Sequence, residues 1–218
     1  MKTENKITIG TLTLIAILIF MSVIINGCKT WEWGDTINYK IPEGEHAEMG
    51  MPFIIDGTEK WGGEMTLEYN PDEMIDTVEN FSYWNKLGGI MPDINDNYGS
   101  HQSARAAWRV DPEDTDYFYV GYIVYVQDEP QRGYLLDYDG NKIRIRVGET
   151  FFPMVTLYSD RWGVYVRYGN QEGSVRVEDD KLRWERFVVV MDPYYGGNPV
   201  APTDIFISLK IIDTHWNY

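Results

Sequence analysis

The chain has 218 residues, of which 44% are hydrophobic and 15% aromatic; that is enough for one packed domain or two small ones and too rich in Trp, Tyr and Phe for a disordered segment. Lys and Arg number 19 against 34 Asp and Glu, a net charge of -15, so the chain cannot hold a phosphate backbone through general electrostatics and nucleic acid is excluded as a partner. The single cysteine excludes an internal disulfide framework and any Cys-based metal cluster.

Residues 1–27 have the layout of an export signal: Lys2 and Lys6 in a short polar start, an apolar run from Ile7 to Ile25, then Asn26 and Gly27 directly before Cys28. The tetrapeptide Ile25-Asn26-Gly27-Cys28 resembles the lipobox of bacterial lipoproteins, which implies cleavage before Cys28 and diacylation of its thiol. A diacylglycerol plus an N-acyl chain exceeds the two signals that stable anchoring needs. The alternative is an uncleaved anchor helix, since a run of about 19 apolar residues is just long enough to span a bilayer. The expected organisation is a signal peptide over 1–27, a lipidated tether over 28–38 and a β-sandwich over 39–218. Loss of Lys2, Glu4 and Lys6 leaves a soluble, still more acidic domain, tethered to a membrane by its first residue. Lys29 stands where Asp retains proteobacterial lipoproteins in the inner membrane, so that likeness points to the outer membrane or cell surface.

Beyond the tether, short alternating runs recur: 38–41, 64–70, 103–110, 117–127, 133–138, 142–147, 151–158, 162–168, 174–177, 187–191 and 204–212. They are rich in Val, Ile, Tyr and Trp and are separated by Gly, Asp, Asn and Pro clusters, which predicts an all-β antiparallel sandwich or barrel. Asp139-Gly140 and Gly169-Asn170 predict tight hairpins, because these residues tolerate positive φ. Helix is expected at most over 72–80, where Asn70-Pro71-Asp72 is a start signal, and over 81–87.

Several segments resemble a known family. Asn85-Lys86-Leu87 followed by Gly89, Ser103-Ala104-Arg105 with Trp108-Arg109, Pro193-Tyr194-Tyr195-Gly196-Gly197, and Ala201-Pro202 with Asp204-Ile205 look like exported proteins of Bacteroidota-type bacteria. That family is without an assigned activity and is similar to the concanavalin A-like lectin/glucanase jelly roll. The resemblance implies that fold and, by analogy, a glycan-related role. Thr203 stands where the family usually has His, so no role of that histidine carries over.

Retaining glucanases on such folds need two carboxylates about 5 Å apart on one strand face. Glu178, Asp179 and Asp180 lack a correctly spaced partner, and Asp137 and Asp139 run into a turn, so that chemistry is not expected. Alginate-type polysaccharide lyases use a Tyr acid/base, with Arg, Gln and His neutralising a uronate carboxylate so that the adjacent proton can be abstracted. Tyr194 and Tyr195 sit in a segment loosely similar to the Tyr-Phe-Lys-Ala-Gly motif of those enzymes, and His101 lies near the Arg strand; the motif's lysine and a Gln-Ile-His motif are absent.

Arg105 and Arg109 lie four apart on a predicted strand and therefore share a face with Ser103 and Ala107, while Ala104, Ala106, Trp108 and Val110 point into the core. Tyr119 and Tyr125 share one parity on the next strand. Lys142, Arg144 and Arg146 form a second basic row over inward Ile143, Ile145 and Val147. Both rows on one sheet would suit carboxylate or sulfate on a glycan, whereas the plainer expectation is pairing with surrounding Asp and Glu. Trp31, Trp33, Trp61 and Trp84 lie outside the strong alternating runs and are expected to be exposed for stacking on pyranoses. Asp93, Asn95, Asp96 and Asn97 form an oxygen-rich loop that would suit a structural calcium ion, or simply a solvated turn. No cofactor is expected to be required.

Together these residues predict a non-catalytic cell-envelope lipoprotein whose sandwich binds carbohydrate, with an anionic glycan the form that suits its basic rows, through Arg105, Arg109, Tyr119, Tyr125 and Arg144. The alternatives are a polysaccharide lyase using Tyr194 or Tyr195, and a structural or protein-interaction module of the envelope.

Overall fold

Alternation of apolar and polar residues places every second side chain of a strand on one face, and two such faces packed together form the core. The computed structural model describes residues 34–46, 53–56, 60–74, 84–91, 102–126, 129–179, 187–191, 193–195 and 200–212, all within the compact unit Glu32–Tyr218. Cys28, Trp31, Trp33, Asp93, Asn95, Asp96, Asn97 and His101 lie outside the described residues.

The strands are β1 Thr36–Ile41, β2 Phe53–Asp56, β3 Lys60–Glu68, β4 Asn85–Met91, β5 Gln102–Val110, β6 Tyr117–Val126 and β7 Glu129–Tyr134, then β8 Arg144–Arg146, β9 Phe152–Leu157, β10 Arg161–Tyr168, β11 Gln171–Glu178, β12 Phe187–Met191 and β13 Ile205–Ile211. They form two antiparallel sheets, a six-stranded one in the order β1-β13-β3-β9-β10-β11 and a seven-stranded one in the order β2-β12-β4-β5-β6-β7, with β8 also paired to β6. The fold is an antiparallel β-sandwich of the jelly-roll type. β5 faces β9 and β10 across the core.

From one sheet Ile37, Ile41, Met65, Leu67, Val155, Trp162, Val164, Ile205 and Leu209 point inward; from the other come Ala104, Ala106, Trp108, Val110, Phe118, Val120 and Ile145, all buried. Trp108 is the hub, stacked on Tyr69 at 5.5 Å and edge-on to Phe118 and Tyr195 at 6.0 and 6.2 Å. The parity predicted for β5 is the one observed.

Four expectations change. Asn85–Leu87 belong to β4, so the helical reading of 81–87 fails at its C-terminal end; of 72–80 only 72–74 are described, a turn that runs into 3-10 geometry at Met74, whose amide donates to the Pro71 carbonyl at 3.2 Å, and 75–80 lie outside the described residues. The run expected at 133–138 is shifted to β7, a polar edge strand that accommodates Pro130 because its outer side needs no ladder donor. Trp61 and Trp84 are buried, at 6% and 7% exposure, instead of being displayed to solvent. β1 begins at Thr36, inside the stretch read as tether. The hairpin signals hold: Gly140 and Gly169 have φ of 82° and 59° between β7 and β8 and between β10 and β11.

Candidate glycan-binding face

The site is built on the outer face of the seven-stranded sheet, opposite the core. Antiparallel register sets Ser103 beside Tyr125, Arg105 beside Ile123, Ala107 beside Gly121 and Arg109 beside Tyr119, so Arg105, Arg109, Tyr119 and Tyr125 share one face as predicted. The face has an apolar floor: Trp84 packs with Ala107 and Ile123, and Tyr125 and Tyr134 flank them. The Trp84 ring crosses the sheet over Gly121, where any side chain would collide with it.

β4 adds the residue that changes the chemistry. A bulge between Lys86 and Gly88 puts Leu87 in the core while Lys86, opposite Ala107, stays on the outer face; Gly88 takes φ 137°, open to glycine at little cost. Lys86 also forms a backbone bridge with Tyr194, amide to carbonyl at 2.8 and 2.9 Å in the two directions, and its ammonium lies 4.4 Å from the centre of the Tyr194 ring. That ring also stacks on His46, with centroids 5.5 Å apart.

Along the face, three arginines meet three different fates. Arg105 is half-buried, and its Nε is buried with no hydrogen-bond partner among the described residues. Burial pulls its pKa down to about 10 against the opposing influence of Tyr125 and Tyr194. Lys86 is pushed down to about 8, by burial first and by the Arg105 charge second. Neither cation forms an ion pair with a carboxylate among the described residues. Arg109 instead lies over aromatic rings, 5.3 Å from Trp84 and 5.8 Å from Tyr134, and Lys142 caps Tyr134 at 4.0 Å. Arg144 shares the face of Tyr119, but its Nε donates to the buried Asp111 at 2.6 Å and its Nη2 to Asp114 at 2.9 Å. A guanidinium so neutralised has little charge left for a ligand, which removes Arg144 from the predicted set. Burial, then a hydrogen bond to Asp111, raises the Tyr119 hydroxyl pKa.

Tyr195 is corrected as well. It is 1% exposed, edge-on to Trp108, its hydroxyl has no partner among the described residues, and burial pushes it up to about 12; it packs in the core, away from the outer face. Tyr194 is the tyrosine of the pair that reaches the outer face. Among the described residues no group of three or more His, Cys, Asp or Glu is placed to hold a metal ion.

Sequence reasoning missed Lys86, His46 and Tyr134. Lys86 was in view within Asn85-Lys86-Leu87, but two following glycines argue against a strand until the bulge is seen.

The fold and this face define a jelly-roll sandwich with a cationic, aromatic-floored outer sheet face. No protein-family model matches the chain, and no curated sequence matches it. Among solved structures, a variant of the alginate lyase Aly36B in complex with alginate trisaccharide aligns over 81% of this chain and 79% of its own, at 12% identity and a TM-score of 0.50. The alginate lyase from Klebsiella pneumoniae aligns over 68% of this chain at 13% identity and a TM-score of 0.48, and this chain spans only 56% of that enzyme's length. A polysaccharide lyase family 18 protein, aly-SJ02, aligns over 80% and 85% of the two chains at 10% identity and a TM-score of 0.40. At such identities the likeness is one of fold.

Proposed function

We propose that the chain is a lipid-anchored protein of the bacterial cell envelope whose sandwich binds an anionic glycan, with a carboxylate or sulfate of the ligand between Lys86 and Arg105. One observation carries this reading: two half-buried cations stand side by side with no carboxylate paired to either among the described residues, and one has a buried Nε with no partner among them. Burying like charges unpaired is costly, and an anionic ligand is what offsets it. Arg109, Tyr119 and Tyr125 extend the groove.

The test is calorimetric titration with alginate and chondroitin sulfate oligosaccharides. Arg105→Ala is expected to lose about 1.5–3 kcal/mol of binding, the value of a hydrogen bond to a charged group, and Arg144→Ala almost none. Affinity in the wild type falls with salt. Equal losses in both variants, or no binding of either ligand, would reject the reading; the latter leaves an envelope interaction module.

A polysaccharide lyase in the same groove is the second reading, favoured by the position of Tyr194 beside Lys86 and near Arg105. Absorbance at about 235 nm, where the unsaturated product of β-elimination absorbs, separates it from a lectin once Tyr194→Phe is included.

The envelope location rests on the Ile25-to-Cys28 tetrapeptide behind the apolar run, and on the likeness to exported Bacteroidota-type proteins. Mass spectrometry of the membrane-extracted protein is expected to find residues 1–27 removed and Cys28 lipidated, both lost in Cys28→Ala. An intact N-terminus with a free thiol would refute the anchor. The oxygen-rich loop at 93–97 stays a proposal for structural calcium, tested by a melting shift on adding calcium.

A further inference from the structure

The other sheet carries a second concavity. A cavity of about 310 Å³ is bounded by β9, β10, β11 and the 136–138 turn, a size in the range of small-ligand pockets. Register aligns Thr156, Gly163 and Arg176 in one row across the three strands, and Met154, Tyr165 and Ser174 in the next. Trp162 and Val164 alternate with Gly163 and Tyr165 and are buried in the core, so this row lies on the sheet's outer side.

Three observations mark it as a ligand site. First, the large hydrophobic residues exposed among the described residues are Leu136, Tyr138, Tyr158, Val200 and Phe206, and the first three all line this cavity; Tyr138 is 92% exposed. Apolar surface gathered at one concavity, and not scattered singly, is the pattern of a binding site. Second, the Tyr158 ring packs directly on Gly163, where a Cβ would come within 2.9 Å of a ring carbon, so the glycine lets the ring lie along the cavity wall. Third, Glu172 and Arg176 both line the cavity, and neither forms an ion pair among the described residues.

We propose that this cavity is a second carbohydrate site, for an uncharged pyranose segment, separate from the anionic site on the opposite sheet. Flat phenol rings suit the apolar face of a pyranose. Hydroxyl groups both donate and accept, so one sugar serves the Glu172 carboxylate and the Arg176 guanidinium together. An anion would meet Arg176 at the expense of Glu172, and a cation the reverse. The site does not depend on Lys86 or Arg105.

The experiment is saturation-transfer NMR on the full chain in detergent, with cellohexaose, xylohexaose, mannohexaose and laminarihexaose as probes. At least one is expected to bind with Kd in the millimolar range or tighter. Tyr158→Ala is expected to weaken it about tenfold. Gly163→Val, on the side of β10 that faces away from the core, pushes the Tyr158 ring out of the cavity wall and abolishes binding while the chain still unfolds cooperatively, and Arg105→Ala has no effect. No saturable binding, or binding unaltered by both cavity variants, overturns the proposal. So does a peptide that binds in place of every sugar and is blocked by Gly163→Val, which would make the cavity a protein-docking site. Loss of uronate binding in Arg105→Ala alone bears on the first site only.

Discussion

Replacing Trp108 by Ala is expected to destabilise the domain by about 3–5 kcal/mol, the usual cost of removing a large aromatic from a closed core. The side chain is fully buried and touches three other rings, Tyr69, Phe118 and Tyr195, so its removal leaves a void at the centre of an aromatic cluster. Since a domain of this size is stable by roughly 5–15 kcal/mol, the loss is a large share of the whole. Trp108→Phe is expected to cost much less. It keeps most of the ring volume and eliminates the indole N–H, which has no acceptor among the described residues. Arg109→Ala, one residue along the strand and on the opposite face, leaves the core packing intact and loses surface contacts that include the cation–π contacts with Trp84 and Tyr134, about 0.5–1 kcal/mol. Urea unfolding with a common slope would show the three midpoints well separated. Coincident midpoints for Trp108→Ala and Arg109→Ala would mean that β5 presents the other parity to the core.

Strands with alternating or continuous apolar runs were legible in the sequence: β12, a continuous run, matches the predicted 187–191, and β5, β6, β10 and β13 differ from expectation by a residue or two. Burial of one face is what fixes period and parity, so the alternation in Ala104-Arg105-Ala106-Ala107-Trp108-Arg109 is enough by itself to orient the strand. β4 and β7 were hidden for physical reasons. In β4, glycines that permit a bulge and close strand approach look like turn residues. In β7, an edge strand with Pro130 and exposed polar residues has no buried face to generate alternation.

The site was legible only in part, because a strand's parity says which face a residue occupies and nothing about what lies beside it there. Arg105, Arg109 and Arg144 look equivalent in the sequence; topology alone gives Arg144 two aspartates, Arg109 two rings and Arg105 a lysine. The Lys86–Tyr194 bridge joins segments distant in the chain, and it also decides between the two tyrosines, turning Tyr194 outward and Tyr195 into the core. The indole of Trp84, expected to be free for stacking on sugar, is instead buried in the apolar floor of the outer sheet face, against Ala107 and Ile123.

Lys86→Met is expected to stabilise the protein at pH 7 while weakening anion binding, the opposite of what a structural lysine would do. Burial and the Arg105 charge lower the Lys86 pKa from an ordinary 10.5 to about 8 in the folded chain. Below about pH 8 both folded and unfolded chains carry the proton, and the folded state bears the full cost of holding that charge beside Arg105. Between about pH 8 and 10.5 the unfolded chain keeps a proton that the folded chain has released, so wild-type stability from this group rises with pH across that window. The separation corresponds to about 3 kcal/mol. Met fills the same space without the charge, so the variant's advantage is largest below pH 8 and fades as pH approaches 10.5. Anion binding has the reverse dependence: a carboxylate between Lys86 and Arg105 favours the charged lysine, hence wild-type affinity falls as pH rises above about 8 and is accompanied by proton uptake near that pH. Urea titrations and calorimetry of wild type and Lys86→Met at pH 7 and 9.5 measure both effects. If the variant proved less stable at pH 7 and bound uronate as tightly as the wild type, Lys86 would have a structural counter-ion and the anionic groove would have to be abandoned.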